Sequence, residues 1–461
     1  MTCILKGGIR REVLTKWNAT GQSIAMNGPA ATISLYLVAI AGMAGYHMVL
    51  ILIISFIIYA MMTYVVYQWS SNSDSTAPWM DYVQKGLGKG PGIVAGWIYW
   101  FYYVIGYAGF ALLGLSSFLV YFQLFRNNEW LWVILVIVMS IEAMIISLKK
   151  IEISTRYFLY AGIFEIIFLL STSIYLIIKF NFNLVYMFNF NFGRITYTSI
   201  ILGIGAFGGI SGLTPLTRET KDYKKEIPSA LISSLFIIGG VIILGAMGQS
   251  AATGPSMINN YANIPDPGLF IYLHYIGFSF YVILLLLVIN SFNSSLLATS
   301  NNFTRMLFGM SENSKIPSII KTKINDNGVP YASLYIGIII GSLIAIFTGI
   351  VLSPLIASIF LLVMAAIFSY VVHIMVSISL IFKNIKNSSF SPIKQFVIPL
   401  IVSIFLIVAI YSSVFLNSIY PYNYAIFISF LYILTIVIIY FLKTSKKIRK
   451  IADFILLKLL R

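Results

Sequence analysis

Residues Gly205–Pro228 read GAFGGISGLTPLTRETKDYKKEIP. The stretch continues an apolar run. It then meets Gly208, Gly209, Ser211 and Gly212, then Pro215, and ends in a burst of charge. Each glycine in a helix costs about 1 kcal/mol relative to alanine, so a continuous helix is a poor description. Irregular backbone at membrane depth survives only where it is buried in protein or lines a cavity. The segment is therefore either a kinked packing helix or a discontinuous helix whose exposed ends bind a solute. A counterpart favours the second reading, because Ala25-Met26-Asn27-Gly28-Pro29 breaks the first apolar run in the same way. Two broken helices, one opening each half, point to the midplane binding site of a secondary transporter.

The composition agrees with a membrane location. Hydrophobic residues make up 59% of the 461 and charged residues 10%, against about 25% charged in a soluble domain. The class is a polytopic membrane protein. The single Cys3 excludes an intramolecular disulfide framework. Three histidines and 14 acids give little material for a metalloenzyme, and no cofactor is called for. The basic segment Met1–Lys16 precedes an apolar run too long for a signal-peptide core, so it reads as the lead-in to an uncleaved first span.

Apolar runs of about 20 residues predict an all-α integral membrane protein of twelve transmembrane helices. The first six are Trp17–Ala44, Met48–Gln68, Gly92–Phe122, Trp130–Leu148, Tyr157–Ile178 and Thr196–Thr217. The second six are Ser229–Ala251, Leu269–Leu297, Tyr331–Val351, Pro354–Phe382, Phe396–Leu416 and Asn423–Leu442. Of the 30 Lys and Arg residues, all but Arg126, Lys179 and Arg194 fall on one side of this arrangement. The positive-inside rule makes that side cytoplasmic, with both termini there, in the cytoplasmic membrane. Topology thus accounts for the net charge of +16 and leaves nothing to support a nucleic-acid partner.

Spans two and three are joined by an inside loop, Ser70–Pro91, and spans seven and eight by an outside loop of similar length, Ala252–Gly268. Equivalent loops on opposite faces predict a five-plus-five inverted repeat with discontinuous helices 1 and 6, and two extra C-terminal helices. The expected divisions are a cytoplasmic segment 1–16, a first repeat 17–195, an inverted second repeat 196–382, helices 11 and 12 over 383–442, and a basic tail 443–461. In the inside loop, Pro78–Val83 is amphipathic and reads as an interfacial helix anchored by Trp79 and Tyr82. The tail places Ile448, Ile451, Ile455 and Leu459 on one face among basic residues. It is either an interfacial helix on anionic lipid or a disordered basic tail.

Three stretches carry a resemblance to a known family. The first is Ala206-Phe207-Gly208-Gly209 with Glu219, Lys221-Asp222-Tyr223-Lys224-Lys225 and Ile227-Pro228. The second is Asn301–Pro330, with Arg305, Leu307, Met310, Ile316-Pro317 and Val329-Pro330 at the family's spacing. The third is the first-helix break, Ser23–Pro29, which departs from the commonest glycine-rich pattern by carrying Met26, Asn27 and Pro29. Over nearly its whole length the chain resembles the amino acid–polyamine–organocation superfamily of permeases. The resemblance implies that an amino acid is carried by alternating access around a midplane site.

The resemblance also implies a division of labour at the breaks. Backbone around Asn27–Ala30 would take the substrate carboxylate, since a helix N-terminus offers unpaired N–H groups and a positive dipole end. Carbonyls near Ile24–Ala25 and Ala206–Gly208 would take the ammonium. Met26, Gly28 and Phe207 complete the expected wall, and Gly208 and Gly209 leave room in it. Asn27 either donates to the carboxylate or caps the second half-helix. Span three is crowded with aromatics, of which Tyr103 or Tyr107 is the candidate to close over the substrate; such density more often serves packing.

Ionisable groups inside the membrane default to a functional hypothesis. Glu165, in mid-span five, is placed by the resemblance beside the first break. It either carries the coupling proton, because burial favours the neutral acid, or makes a structural hydrogen bond to broken-helix backbone. Glu142 reads as structural, snorkelling toward or pairing with Lys149 and Lys150. Ser291, Asn293, Ser294 and Ser295 in span eight could ligate Na⁺ with first-helix carbonyls, which ranks sodium coupling second to proton coupling; such residues also bridge helices routinely. Glu219 and Arg305 are either an inner gate formed by charge pairing or plain positive-inside topology with a solvated acid, and Arg218 reads as plain topology. The three histidines have no partner at metal-ligand spacing.

The leading expectation is thus a proton-coupled amino acid permease, with lipid as its surroundings. The apolar, glycine-widened pocket favours a neutral or bulky apolar substrate over a dibasic one. An amino acid or amine exchanger, or a non-transporting nutrient sensor on the same scaffold, is the alternative. No cluster of acids and histidines supports a membrane enzyme, and no nucleotide-binding motif supports ATP-driven transport. Nothing in the residues indicates an oligomeric state.

Overall fold

The computed structural model describes residues 8–119, 128, 130–180, 187–188, 194–258, 261, 267–313, 320, 323–385, 391–415 and 421–444. Among the described residues every secondary-structure element is a helix, apart from one isolated parallel bridge between Leu14 and Thr220. Ten of their segments are long and apolar enough to cross a membrane. The other two expected spans are the first, which is broken, and the fourth, which is apolar but only 17 residues long (Leu131–Ser147).

The first span begins at α1 (Lys16–Asn27). Thr15 caps it reciprocally with Asn18: the Thr15 side chain accepts from the Asn18 N–H, and the Asn18 side chain accepts from the Thr15 N–H, which satisfies two orphan donors. Gly28, with φ +57°, ends α1. Proline at the first position of the next piece then starts α2 (Pro29–Ala31), where its missing N–H costs nothing. A π-helical turn, Thr32–Tyr36, and α3 (Leu37–Ala44) complete the span. Helices α4 (Met48–Ser70), α5 (Pro78–Leu87), α6 (Lys89–Gly106), a π segment Tyr107–Leu113 and α7 (Gly114–Leu119) follow. Next come α8 (Leu131–Ser147) and α9 (Ile151–Lys179).

The sixth span is α10 (Arg194–Ala206), a turn over 207–209, and a ten-residue 3₁₀ helix, Ile210–Glu219. The interruption is shorter than the glycines and Pro215 suggest. Proline fits the tighter helix, and the Thr214 hydroxyl takes the Ser211 carbonyl at 2.9 Å. A 3₁₀ run of this length is unusual and marks a hinge or a sequence under strain. The remaining helices are α11 (Tyr223–Ile258), α12 (Pro267–Ile271), α13 (Phe278–Asn313), α14 (Tyr331–Leu352), α15 (Pro354–Asn384), α16 (Ile398–Phe415) and α17 (Tyr422–Thr444).

Two expectations need correction. Span eight does not run unbroken from Leu269. A π turn, Tyr272–Ile276, closes on Gly277, whose φ of +138° separates it from α13. The stretch Pro78–Val83 is helical as α5, but Trp79 and Tyr82 are buried rather than anchored at an interface. α5 packs on α6 and α15; Trp79 stacks on Tyr99 at 3.9 Å and Tyr82 on Trp69. The apolar face of an amphipathic helix follows whichever apolar surface is nearest, and here that surface is the bundle. The tail helix, with Ile448, Ile451, Ile455 and Leu459, lies outside the described residues, as do Ile316-Pro317 and Arg126.

The sixth span is central and the last is peripheral: 78% of the apolar window of Ser199–Glu219 is buried, against 17% for Tyr422–Leu442. Large apolar side chains such as Phe164, Leu286, Phe347, Ile407 and Phe427 are exposed on the outside, as lipid-facing residues must be. Inside, α1 packs on α9, α11, α13 and the 3₁₀ segment. The two breaks are thereby brought face to face.

Candidate functional site

The breaks meet at Gly209. Its φ is +97°, and a Cβ there would stand 2.7 Å from the Asn27 nitrogen. Only glycine lets the second break cross the first this closely. Asn27 ties the two together by donating from Nδ2 to the Ala206 carbonyl at 2.9 Å and to the Gly208 carbonyl at 2.6 Å. It therefore does not cap the second half-helix, whose N-cap is Gly28 with no side-chain bond. Asn27 Oδ1 is buried and unpaired.

Other groups expected at the site are engaged by the protein. The Gly28 N–H donates to the Ile24 carbonyl at 2.9 Å, and the Ala30 N–H to Glu165 Oε1 at 2.6 Å. Pro29 has no N–H, so the Ala25 carbonyl loses its helical donor. Ser295 donates to the Met26 carbonyl at 3.1 Å, and Thr32 to the Asn27 carbonyl at 2.9 Å.

Between the breaks lies a cavity of about 90 Å³, several times what one water needs. Met26, Asn27, Ala206, Gly208, Gly209 and Ser295 line it. Ile24, Ala25, Gly28 and Phe207 sit behind that wall, with Phe207 edge-on to Phe56 at 5.5 Å. Among the described residues no Asp, Glu, Lys, Arg or His lines the cavity. Its polar character comes from phenols and hydroxyls, those of Tyr36, Tyr59, Tyr102, Thr32, Thr299 and Ser369.

The third-span aromatic on the cavity is Tyr102. Tyr103 and Tyr107 are turned into helix packing: the Tyr103 hydroxyl accepts from Trp79 Nε1 at 3.1 Å, and Tyr107 lies edge-on to Phe303. Sequence reasoning missed Tyr36, Tyr59 and Tyr102. Spacing places Tyr103 and Tyr107 four residues apart on one helix face, but does not show which face of the helix meets the cavity.

Glu165 is buried against the second half-helix. Besides the Ala30 N–H it accepts from Ser291 Oγ at 3.0 Å. Its carboxylate closes the N-terminus of that half-helix, where a negative charge is favoured by the dipole. Glu142 does not pair with Lys149 or Lys150. It accepts from Asn293 Nδ2 at 2.9 Å, since seven residues along a helix put Lys149 about 10 Å away. Tyr157 donates to Asn290 Oδ1, and Ser294 lies beside the Tyr157 hydroxyl.

Ion pairs gather at the end of the bundle that carries the N-terminal segment. Arg305 holds Glu219 bidentately, through Nε to Oε2 and through Nη2 to Oε1 at 3.0 Å, with both side chains buried. Arg218 is not free: it pairs with Glu312 at 2.5 Å and reaches Asp74 at 3.9 Å. The N-terminal segment straps across. Val13 and Leu14 both donate to the Glu219 carbonyl at 2.8 Å, and the Lys221 N–H donates to the Leu14 carbonyl at 2.9 Å. Leu14 is buried with Ile151 and Leu216. Among the described residues no three His, Cys, Asp or Glu side chains converge to hold a metal.

A helical bundle of many spans, with a cavity between two facing helix breaks, defines a secondary transporter. More particularly, the amino acid permease family matches residues 21–456, and the chain belongs to it. It is accordingly a multi-pass membrane permease, and its family comprises transporters rather than enzymes. No curated protein matches the sequence. Among solved structures the chain is similar to the Eremococcus coleocola manganese transporter in complex with an aromatic bis-isothiourea substituted compound. Identity is 12% and the TM-score 0.55, over 95% of this chain and 97% of that one. It is also similar to a Na⁺-coupled sialic acid symporter in a substrate-bound outward-open state, at 13% identity and a TM-score of 0.55, over 86% and 88% of the two chains. At these identities the likeness is one of fold.

Proposed function

We propose that the protein carries amino acids with neutral, apolar side chains across the cytoplasmic membrane by alternating access, driven by protons. The observation that carries this reading is the cavity itself. It lies between two broken helices and is walled by Met26, Asn27, Ala206, Gly208 and Gly209. It offers the Ala206 and Gly208 carbonyls to an ammonium, phenols and hydroxyls to a carboxylate, and among the described residues no charged side chain for a second ammonium. The Ala206 and Gly208 carbonyls each keep a second lone pair beyond the bond to Asn27.

Glu165 supports proton rather than sodium coupling. Its carboxylate and the substrate carboxylate draw on the same helix N-terminus, around Ala30. Protonating Glu165 weakens its hold on the Ala30 N–H, so the proton and the substrate favour each other's binding, a reciprocal coupling. Two of the candidate sodium ligands are engaged elsewhere: Ser291 donates to Glu165 and Ser295 to the Met26 carbonyl. Convergent acids or histidines of the kind a manganese substrate would use are not found among the described residues.

The same reading takes the chain as twelve spans in a five-plus-five inverted repeat with two added helices, both termini cytoplasmic. The breaks in spans one and six and the one-sided Lys and Arg residues support it. The Glu219–Arg305 pair, the Arg218–Glu312 pair and the strap then form the inner gate. Counterflow of labelled amino acids into preloaded proteoliposomes tests the substrate class. Exchange of branched and aromatic amino acids, with dibasic ones excluded, is expected. Ligand-dependent thermal stabilisation without any exchange would overturn the reading in favour of a sensor.

A further inference from the structure

Glu142 has no part in the site described above, yet it lies within an apolar helix, half-buried on α8. Its partner is Asn293 on α13. One turn along α13, Asn290 Oδ1 accepts from the Tyr157 hydroxyl of α9. Ser294 lies beside that hydroxyl, and the carboxylates of Glu142 and Glu165 both act on it electrostatically. Ser291, on the same stretch of α13, bonds Glu165. Residues 290–294 of α13 therefore form a polar seam with one carboxylate at each side: Glu165 against the first-helix break, and Glu142 on the flank. Asn293 Oδ1 is buried in this seam without a partner. A polar group in such a position is normally satisfied by water.

We propose that the seam is a proton relay, and that Glu142 is the second proton site of the transport cycle. The inference rests on the proton-coupled reading of Glu165. The Glu165 O–H bond breaks and an O–H bond forms on Glu142, through Ser291, Ser294, Tyr157 and water held by Asn293. The negative charge passes the other way. Glu142 lies five residues from the end of α8, which Lys149 and Lys150 follow. The relay thus delivers the proton toward the basic end of the bundle without passing the Glu219–Arg305 pair. Substrate and proton leave by different routes.

The groups around Glu142 suit that role. Asn293 and Tyr157 face it from α13 and α9. Tyr107, from the neighbouring π segment, lies near Ser140 and Ser342, two residues before Glu142 and on α14. The only titratable residues of α14 are Tyr331 and Tyr335, and α7 has none. Glu165 is the charged residue of α9 at the seam; the other charged residues of α13 and α9, namely Arg305, Glu312, Glu152, Arg156 and Lys179, lie elsewhere along those helices. No cation is paired with Glu142 among the described residues.

The test uses the full chain in proteoliposomes loaded with a pH-sensitive dye. Substrate-driven proton entry is measured beside labelled counterflow at equal pH. Exchange needs only the loaded carrier to cross and return, whereas net uptake needs the proton to be released. Glu142→Gln is expected to lower proton entry and net uptake about tenfold or more, the scale of a lost proton-transfer group, while counterflow persists. Asn293→Ala and Tyr157→Phe are expected to slow proton entry several-fold, and Glu142→Asp to restore it in part. Glu142→Gln with wild-type proton entry would overturn the relay. Should that variant fail to fold, wild-type proton entry in both Asn293→Ala and Tyr157→Phe would overturn it equally. A wild-type protein that exchanges substrate but moves no protons would refute the proton-coupled reading itself, an outcome seen without any variant.

Discussion

Gly209 and Asn27 show how much of the site depends on single atoms. Gly209→Ala adds a Cβ against the Asn27 backbone at a positive φ. The left-handed conformation alone costs an L-residue about 1–2 kcal/mol. Lowered thermal stability and loss of substrate exchange are expected, both readable on purified protein. Tyr102 and Tyr103, adjacent in sequence, should separate cleanly. Tyr102→Ala opens the cavity wall and is expected to alter which side chains compete for uptake. Tyr103→Phe removes one hydrogen bond to Trp79, worth about 1 kcal/mol of stability, and should leave substrate preference unchanged. Competition assays with a set of amino acids would measure both. The breaks themselves were legible because glycine and proline announce irregular backbone. Which tyrosine faces the cavity was not, because that depends on how α6 is rotated in the bundle. The Asn27 bonds to Ala206 and Gly208 were also hidden, since they join residues far apart in the chain.

At the scale of elements, the strap and the buried pair tie the N-terminal segment, the 3₁₀ helix and α13 together at one end of the bundle. Removing one partner of a buried ion pair leaves an uncompensated charge and costs about 3–5 kcal/mol. Arg305→Ala is therefore expected to destabilise strongly, and Glu219→Gln with Arg305→Gln together less than Arg305→Ala alone; thermal unfolding of the three proteins checks this. Leu14→Pro removes one of the two donors to the Glu219 carbonyl and the buried Leu14 side chain, without touching the Glu219 or Arg305 side chains. It should raise several-fold the rate at which a cysteine placed at Thr214 reacts with a hydrophilic maleimide. An unchanged rate would mean that the strap does not guard the site. The pairing of Glu219 with Arg305 was anticipated from charge and position. Glu312 and Asp74 as partners of Arg218 were not, because the sequence does not show how far α13 continues past the membrane.

At the scale of the whole molecule, apolar run length and charge asymmetry conveyed the class, and the family match agrees with it. The misread elements were those whose apolar face could have met either lipid or protein, as α5 did. They also include Tyr272–Ile276, where a glycine inside an apolar run was hidden by its neighbours. The central claim is that this bundle is a proton-driven amino acid permease. The most direct test is uptake of a neutral amino acid into proteoliposomes under an imposed inward proton gradient without sodium. Accumulation that collapses with a protonophore, and that Glu165→Gln abolishes, is the result expected. Accumulation indifferent to the protonophore, or driven only when sodium is added, would contradict it.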